Sequence, residues 1–386
     1  MSIPLAYNLR NLVVRKTTTI MTALGIALTV AVLLASFALI AGLRATLSAS
    51  ADPLRVLVMR KGATGELTSV MTRANYQDLK FKSGIATGKD GQPMASLEVL
   101  TVINLASVDN PNGVNLTVRG LMPSGVEMRR VKLAGGRWFE PGRNEVVVGG
   151  SVVKRFPEAS LGRKIKFGRS EWDIVGVLDA ARGSADSEVW GDLNQFASDL
   201  NRNDALSVAL VTATDEVAAK ALVNDITNDQ RLSMQAQSEK EYYDSQTQSA
   251  VPIEFAGIFV AVIMAVGSSF AAMNTMYAAV ARRSREVGTL RVLGFSKGII
   301  LLSFFLESVL LAGLGGILGC LLVMPLNGLT TAVGNTNFSE TAFDLRVTPE
   351  SMVYGVLFAI LLGTFGGLFP ASNAARKEIL TALREV

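Results

Sequence analysis

Charge almost vanishes from the chain in four places. Residues 18–43, 255–280, 299–324 and 352–370 hold a single ionisable carboxylate or base between them, Glu307. Each stretch is close to the roughly 20 apolar residues that a helix needs to cross a bilayer. Residues 44–254, between the first and the second, follow a different rhythm. LRVLVMR (54–60), LEVLTVINL (97–105), VNLTVRGLM (114–122), 145–148, 164–167, WDIVGVL (172–178) and 205–212 are short runs, mostly alternating or β-branched, set off by Gly, Pro and Ser turns. They predict strands. Longer polar-apolar periods predict helices over 71–82, 216–226 and 239–248. The expected fold is a multi-pass α-helical membrane protein with four transmembrane helices. A large α+β extracytoplasmic domain lies between the first and second, with a β-rich insertion at about 114–199.

The pattern divides the chain further. Leu5, Leu9, Leu12 and Val13 make one apolar stripe with Arg10, Arg15 and Lys16 off it. This predicts a cytoplasmic amphipathic helix over 1–16, although a plain basic flank of a span would look similar. Transmembrane helix 1 and its outward extension take 17–53, ending at Pro53. Thr22, Thr29 and Ser36 inside it are expected to bond back to the preceding turn. The extracytoplasmic domain occupies 54–250. Helix 2 spans 251–281, a cytoplasmic helix 282–297, helix 3 298–326, an external loop 327–350, helix 4 351–371 and a cytoplasmic tail 372–386.

Composition agrees with this division. Of 386 residues 49% are hydrophobic and 18% charged, and the net charge of +4 gathers at the borders of the apolar stretches. Mean hydropathy is +0.35, too apolar for an ordinary soluble enzyme. Arg15 and Lys16 precede helix 1, and Arg282, Arg283 and Arg285 follow helix 2, so both termini are expected in the cytoplasm. The basic residues are read as topology signals, not as a nucleic-acid surface. There is no His, and the one Cys, Cys320, sits in an apolar stretch. Most His- or Cys-based metal and nucleophile chemistry is thereby excluded. Glu98, Asp109, Asp173 and Asp179 are scattered and are expected to be solvated or to cap turns. Gly88-Lys89-Asp90 lacks the following Ser/Thr and the upstream Gly of a phosphate loop, and the chain contains no complete Walker A pattern. No catalytic, metal or cofactor-binding residue is assigned.

The most distinctive stretch is MNTMYAAVARRSREVGTLRVLGFSKGIILLSFFLESVLL, residues 273–311. It joins two spans by a short helix that Gly294 stops. Glu286, Leu290 and Leu293 fall on one face, and Arg282 can pair with Glu286 at i, i+4. A basic loop that merely fixes topology would explain the arginines but not the apolar stripe, which predicts docking of a soluble partner. Glu307 lies about 13 Å into helix 3 beyond Gly298 at 1.5 Å per residue. A carboxyl at that depth must face protein or water, for structural bonding or for proton movement. Gly315 and Gly319, and Gly363 and Gly367, form two GxxxG pairs where helices can approach closely.

These residues resemble those of the permease subunits of MacB-like and FtsX-like ABC transporters, the type VII superfamily. The likeness is carried by AYNLRNLVVRKTTTIMTALGIALTVA at the start, by residues 273–311, and by GTFGGLFPASNAARKEILTALREV at the end. GGRWFEPGRNEVVVGGSVVKRF and LGRKIKFGRSEWDIVGVL resemble the family's periplasmic core domain. Two departures are Val292-Leu293-Gly294-Phe295 in place of Ala-Leu-Gly-Ala, and Glu378-Ile379-Leu380 in place of the usual Pro near the end.

The resemblance implies a non-catalytic subunit of the bacterial inner membrane. Two permease chains would pair, as a homodimer or heterodimer, and ATP and Mg would sit on separate ABC ATPase subunits. Arg282, Arg283, Arg285, Glu286, Gly288, Arg291, Leu293 and Gly294 would belong to the coupling helix. ATP-driven movement would pass to an external porter-like part near 54–82 and 205–244, which is mechanotransmission. It would serve export or extraction at the outer side of the membrane. A periplasmic adaptor and an outer-membrane channel are further candidate partners. The alternative within the superfamily is an FtsX-like regulatory permease that controls a cell-envelope enzyme or senses a ligand. A membrane-anchored enzyme is the reading from another class, and it lacks any catalytic motif.

Overall fold

The computed structural model describes residues 10, 13–14, 16–108, 110–179, 183–248, 251–334 and 340–376. Most of the amphipathic helix expected over 1–16, Asp109, and the tail with Leu380 and Leu383 lie outside the described residues. The chain forms two compact units. One contains residues 1–41, 251–329 and 345–386; the other contains 42–250 and 330–344.

Four helical stretches among the described residues are long and apolar enough to cross a membrane. They contain α1 (Lys16–Ser50), α8 (Val251–Arg282), α10 (Lys297–Val323) and α11 (Pro349–Arg376). Their buried centre is Ile26, Val30, Leu34, Ala265, Ala312, Val323, Ala359 and Leu362. Small residues bring the backbones together. A Cβ on Gly315 would stand 2.8 Å from Ile26 Cβ, and one on Gly319 2.8 Å from the Ala27 carbonyl. The first GxxxG therefore faces α1. Gly363 and Gly367 press on Ala312 and Ser308 of α10, so the second pair closes the α10–α11 contact. Thr22 and Thr29 bond back to Thr18 and Gly25, and also reach Thr275 and Ser268 of α8. Hydroxyl pairs of this kind join helices that have no hydrophobic driving force between them in lipid.

α1 stops at Ser50, three residues short of Pro53. Asp52 turns the chain there by accepting from the Leu54 N–H at 2.9 Å, an Asx turn. α10 ends at Val323 in a short 3-10 turn, Met324–Leu326, built around Pro325. α11 runs through Pro370 to Arg376, past the expected end of helix 4. Neighbouring spans let membrane helices carry an internal proline.

The second unit is built on one ten-stranded sheet. Its strands are β1 (Arg55–Arg60), β2 (Ala95–Leu105), β3 (Val114–Leu121), β4 (Lys132–Gly136), β5 (Glu145–Gly149), β6 (Lys164–Phe167), β7 (Ser170–Asp179), β8 (Glu188–Asp192), β9 (Val208–Thr212) and β10 (Met234–Ser238). The order is β10-β1-β9-β2-β3-β8-β5-β7-β4, with β6 on β7. Only β3–β8 and β5–β7 are parallel. Trp172, Ile174 and Leu178 of β7 point inward. Trp172 stacks on Phe167 at 5.2 Å and meets Phe196 edge-on at 4.5 Å.

The helices of this unit are α2 (Arg73–Leu79), α3 (Pro123–Arg129), α4 (Gly150–Arg155), α5 (Leu193–Asp199), α6 (Glu216–Asn228) and α7 (Glu239–Gln248). Thr72 and Asn75 form a capping box on α2, and Asp192 and Asp215 cap α5 and α6. Such caps contribute about 1 kcal/mol each.

The β-rich part expected at 114–199 shares one sheet with the rest of the unit. β2 is eleven residues long. Its first residues pair with β9 and the rest with β3, and Glu98 takes part in both pairings. The segment expected to be an external loop at 327–350 contains a hairpin, β11 (Thr330–Gly334) and β12 (Glu340–Asp344). The hairpin belongs to the α+β unit. The Ala342 N–H donates to Ser187 Oγ at 3.0 Å, and a Cβ on Gly42 would collide with the Asp344 carbonyl.

Candidate coupling site

α9 (Ser284–Val292) follows α8 after one non-helical residue, Arg283, at φ −106° and ψ 13°. Arg291 lies in its last turn, where a cation complements the helix dipole. Gly294 takes a φ of +93°, a left-handed stop that glycine reaches without a Cβ penalty.

The helix has two distinct sides. Ser284, Val287 and Gly288 are buried, and Val287 joins Met276, Val280, Ile300, Phe304 and Ala371 in a small apolar cluster. Arg285, Glu286, Thr289, Val292 and Leu293 are exposed, at i, i+1, i+4, i+7 and i+8 on one face. Val292 and Leu293 are large apolar side chains at 64% and 66% exposure. The face is charged at its start and apolar at its end. Arg282 and Gly294 are exposed, and Leu290 and Arg291 are half-buried.

Arg283 does not share that face. It is 4% exposed, and its Nη1 donates to Glu307 Oε2 at 2.8 Å. Glu307 is itself 6% exposed. The structure thus gives Glu307 a bonding partner within the bundle and removes Arg283 from the surface expected to dock a partner. The reason is the position of Glu307 on α10, which draws the guanidinium inward from the joint between α8 and α9.

The α+β unit holds a second charged site, and here the expectation for Glu98 fails. Glu98 is fully buried on β2, not solvated. Arg119 on β3 donates five charge-assisted hydrogen bonds, to Glu66, Glu98 and Glu188, at 2.7–3.1 Å. Arg129 also binds Glu98. Burial works to raise the Glu98 carboxyl, but Arg129 and Arg119 hold it below the usual value. Glu188 is lowered likewise by Arg119 and by the Trp190 indole N–H. Glu98 and Glu188 are held as carboxylates because each has a guanidinium partner. Period-two alternation hides such a cluster, since Arg119 and Glu98 occupy positions that sequence alone assigns to a solvated face. By contrast Asp173 and Lys164 form an exposed pair at 3.5 Å.

Next to this cluster a cavity of about 180 Å³ is lined by Ser50, Arg55, Arg129, Glu188, Glu239 and Tyr243, among others. Arg55 ties its surroundings together. It pairs with Glu239 at 2.6 Å and donates to the Ser50 and Met128 carbonyls. Ser184 binds both Ser50 and Tyr243. The last residue of α1 and the first turn of α7 are thus held in one polar knot within the α+β unit. Among the described residues no three His, Cys, Asp or Glu side chains are arranged to hold a metal ion.

Residues 19–229 match the profile of the MacB-like periplasmic core domain, and residues 258–379 that of the FtsX-like permease C-terminal region. The chain is similar to the macrolide export ATP-binding/permease protein MacB of Pasteurella multocida, at 25% identity over 70% of this chain and 43% of that protein. It is similar to MacB of Campylobacter jejuni at 24% over 97% and 60% respectively. It is also similar to the uncharacterised ABC transporter permease YknZ of Bacillus subtilis, at 26% over 69% and 70%. The chain therefore spans only about half of the length of the MacB proteins it matches. Solved structures that it resembles include the periplasmic region of MacB from Actinobacillus actinomycetemcomitans. That likeness has a TM-score of 0.38 and 12% identity, over 51% of this chain and 94% of that one. With both profiles in chain order around four apolar helices, the chain belongs to the MacB/FtsX-like family of ABC transporter permeases.

Proposed function

We propose that the chain is the membrane subunit of an ABC transporter in a bacterial cytoplasmic membrane, and that α9 docks an ABC ATPase. Two permease chains pair, identical or sister, each over one ATPase subunit that holds the ATP and Mg. Both termini face the cytoplasm, as the arginines around α8 and α9 favour. Nucleotide-driven closure of the ATPases moves α9, and α1 and α8 carry that movement to the α+β domain. The work done there is export or extraction of a substrate outside the membrane.

The observation that carries this reading is the split character of α9. An isolated nine-residue helix is too short to be stable in water. This one is held by its buried side, and it presents large apolar side chains at the end of a charged face. Exposed apolar surface rimmed by charge is what a protein partner covers. The unbroken helix Lys16–Ser50 supports transmission, because a stiff rod carries displacement where a flexible linker would absorb it.

The test is co-purification from the native membrane. Wild-type chain recovers an ATP-binding subunit, and Val292→Asp with Leu293→Asp reduces that recovery at least tenfold without changing membrane insertion. Normal recovery by the double variant removes α9 as the docking helix.

A further inference from the structure

Arg283 is the residue at which the chain leaves α8 and enters α9. Its backbone is not helical, so the two helices are joined there by a potential swivel. Of the α9 side chains, Val287 is the one buried in the apolar cluster around Ile300 and Phe304. The side chain of the swivel residue, however, is fixed. Its Nη1 meets Glu307 at 2.8 Å, and its guanidinium lies 5.9 Å from the centre of the Phe304 ring. Its Nε stands 3.8 Å from Glu286, which is exposed on the outer face of α9. A line of alternating charge, Glu286–Arg283–Glu307, therefore runs from the α9 surface into α10. Glu307 lies about 15 Å along α10 from Lys297 at 1.5 Å per residue. An ionisable side chain at that depth needs a polar partner, and the partner comes from the swivel.

We propose that the buried Arg283–Glu307 pair is the strut that locks α9 to α10, and that Arg283 is a positioning residue which never touches the ATPase. The proposal rests on the reading of α9 as the docking helix. It extends the path of movement, because the pair adds a buried charged contact between α9 and α10 to the short connection 293–296 and to the packing of Val287 on Ile300 and Phe304. Loss of the pair leaves the docking face intact and loosens the hold of α9 on α10.

The experiment uses the full permease–ATPase complex in lipid nanodiscs and three variants: Glu307→Gln, the charge swap Arg283→Glu with Glu307→Arg, and Val292→Asp with Leu293→Asp. The readouts are ATPase recovery, kcat and KM for ATP, and the mobility of a spin label at Thr289→Cys in the permease alone. Cys320→Ser makes that label unique, because Cys320 is the only cysteine. Glu307→Gln is expected to recover the ATPase at wild-type yield, to lower kcat at least tenfold with KM within twofold, and to mobilise the label. The charge swap is expected to restore label mobility and to bring kcat within threefold of wild type. Wild-type kcat and unchanged mobility in Glu307→Gln overturn the strut, as does loss of ATPase recovery with unchanged mobility. If wild-type chain recovers no ATPase, the docking reading fails by itself. The label then decides the strut: greater mobility in Glu307→Gln that the swap reverses supports it, and unchanged mobility overturns it.

Discussion

Replacement of Arg119 by Met should destabilise the α+β unit more than any surface charge substitution. Arg119 is 3% exposed, and its five hydrogen bonds to Glu66, Glu98 and Glu188 use all five of its N–H groups. Arg119→Met keeps the chain length and apolar bulk but takes a guanidinium partner from three carboxylates. Glu98 retains Arg129 and Glu188 retains the Trp190 N–H at 2.7 Å, whereas Glu66 loses both of its bonds to Arg119. Breaking a buried pair from one side costs about 3–5 kcal/mol. For a domain of this size each kcal/mol lowers Tm by roughly 2–4 °C, so the expected drop is about 6–20 °C. Lys164→Ala is the control. Lys164 and Asp173 are 64% and 57% exposed in their pair, and exposed pairs contribute only about 0–1 kcal/mol. All three tryptophans, Trp138, Trp172 and Trp190, lie in the α+β unit, so tryptophan fluorescence of the full chain in detergent reports its melting. A drop below about 2 °C for Arg119→Met, or an equal drop for Lys164→Ala, refutes the assignment of the cluster as a coupled buried network.

Acid should act on the same cluster. Glu98 and Glu188 are held below the usual value and Glu145 is lowered to about 2 by Arg137. Their contribution is complete above the unfolded value of roughly 4.3 and is lost as pH falls through the folded values. Tm should therefore fall as pH drops below about 4 toward the folded values, and the gap between wild type and Arg119→Met should narrow, which melts at about pH 7 and about pH 2.5 will check. Trp172→Ala should cost about 3–5 kcal/mol, because its ring is fully buried between Phe167 and Phe196; a chemical-denaturation shift under 1 kcal/mol would contradict the packing. Gly319→Leu should separate α1 from α10 and abolish ATP-driven activity, whereas Gly313→Ala, with nothing within 4 Å of its added Cβ, should leave it unchanged. Ser187→Ala should release the β11–β12 hairpin from the α+β unit, read as faster amide exchange at Ala342, whose N–H it accepts.

Much of the chain was legible because its signals are local. Strands β1, β3, β5, β6 and β7 and helices α6 and α7 fall within two residues of the expected limits, because alternation, caps and turn residues act within a few positions. β4, with two glycines in five residues, and β8, between an acidic start and an acidic cap, carry no alternation and escaped notice. β12 reads as a strand only when β11 pairs with it. The helix 71–82 proved shorter, Arg73–Leu79, since Lys80 to Ser83 form a turn.

The candidate site divides in the same way. The existence of α9, its stop at Gly294 and its arginines follow from short-range pattern. That Arg283 turns inward while Arg285 stays outside depends on where α10 places Glu307, twenty-four residues away in sequence. No window of neighbouring residues holds that information.

The sequence by itself determined four membrane helices, an α+β domain after the first of them, the short helix between the second and the third, and the family. These follow from runs of hydrophobicity, short periods and ordered motifs, each complete within a segment. Only the tertiary structure decided which charges are buried. A carboxylate on a strand is solvated or locked according to what the neighbouring strand sets beside it, and Glu98 meets Arg119 because β2 and β3 pair in one register. Burial of charge is a property of pairs distant in the chain, and packing alone brings those pairs together.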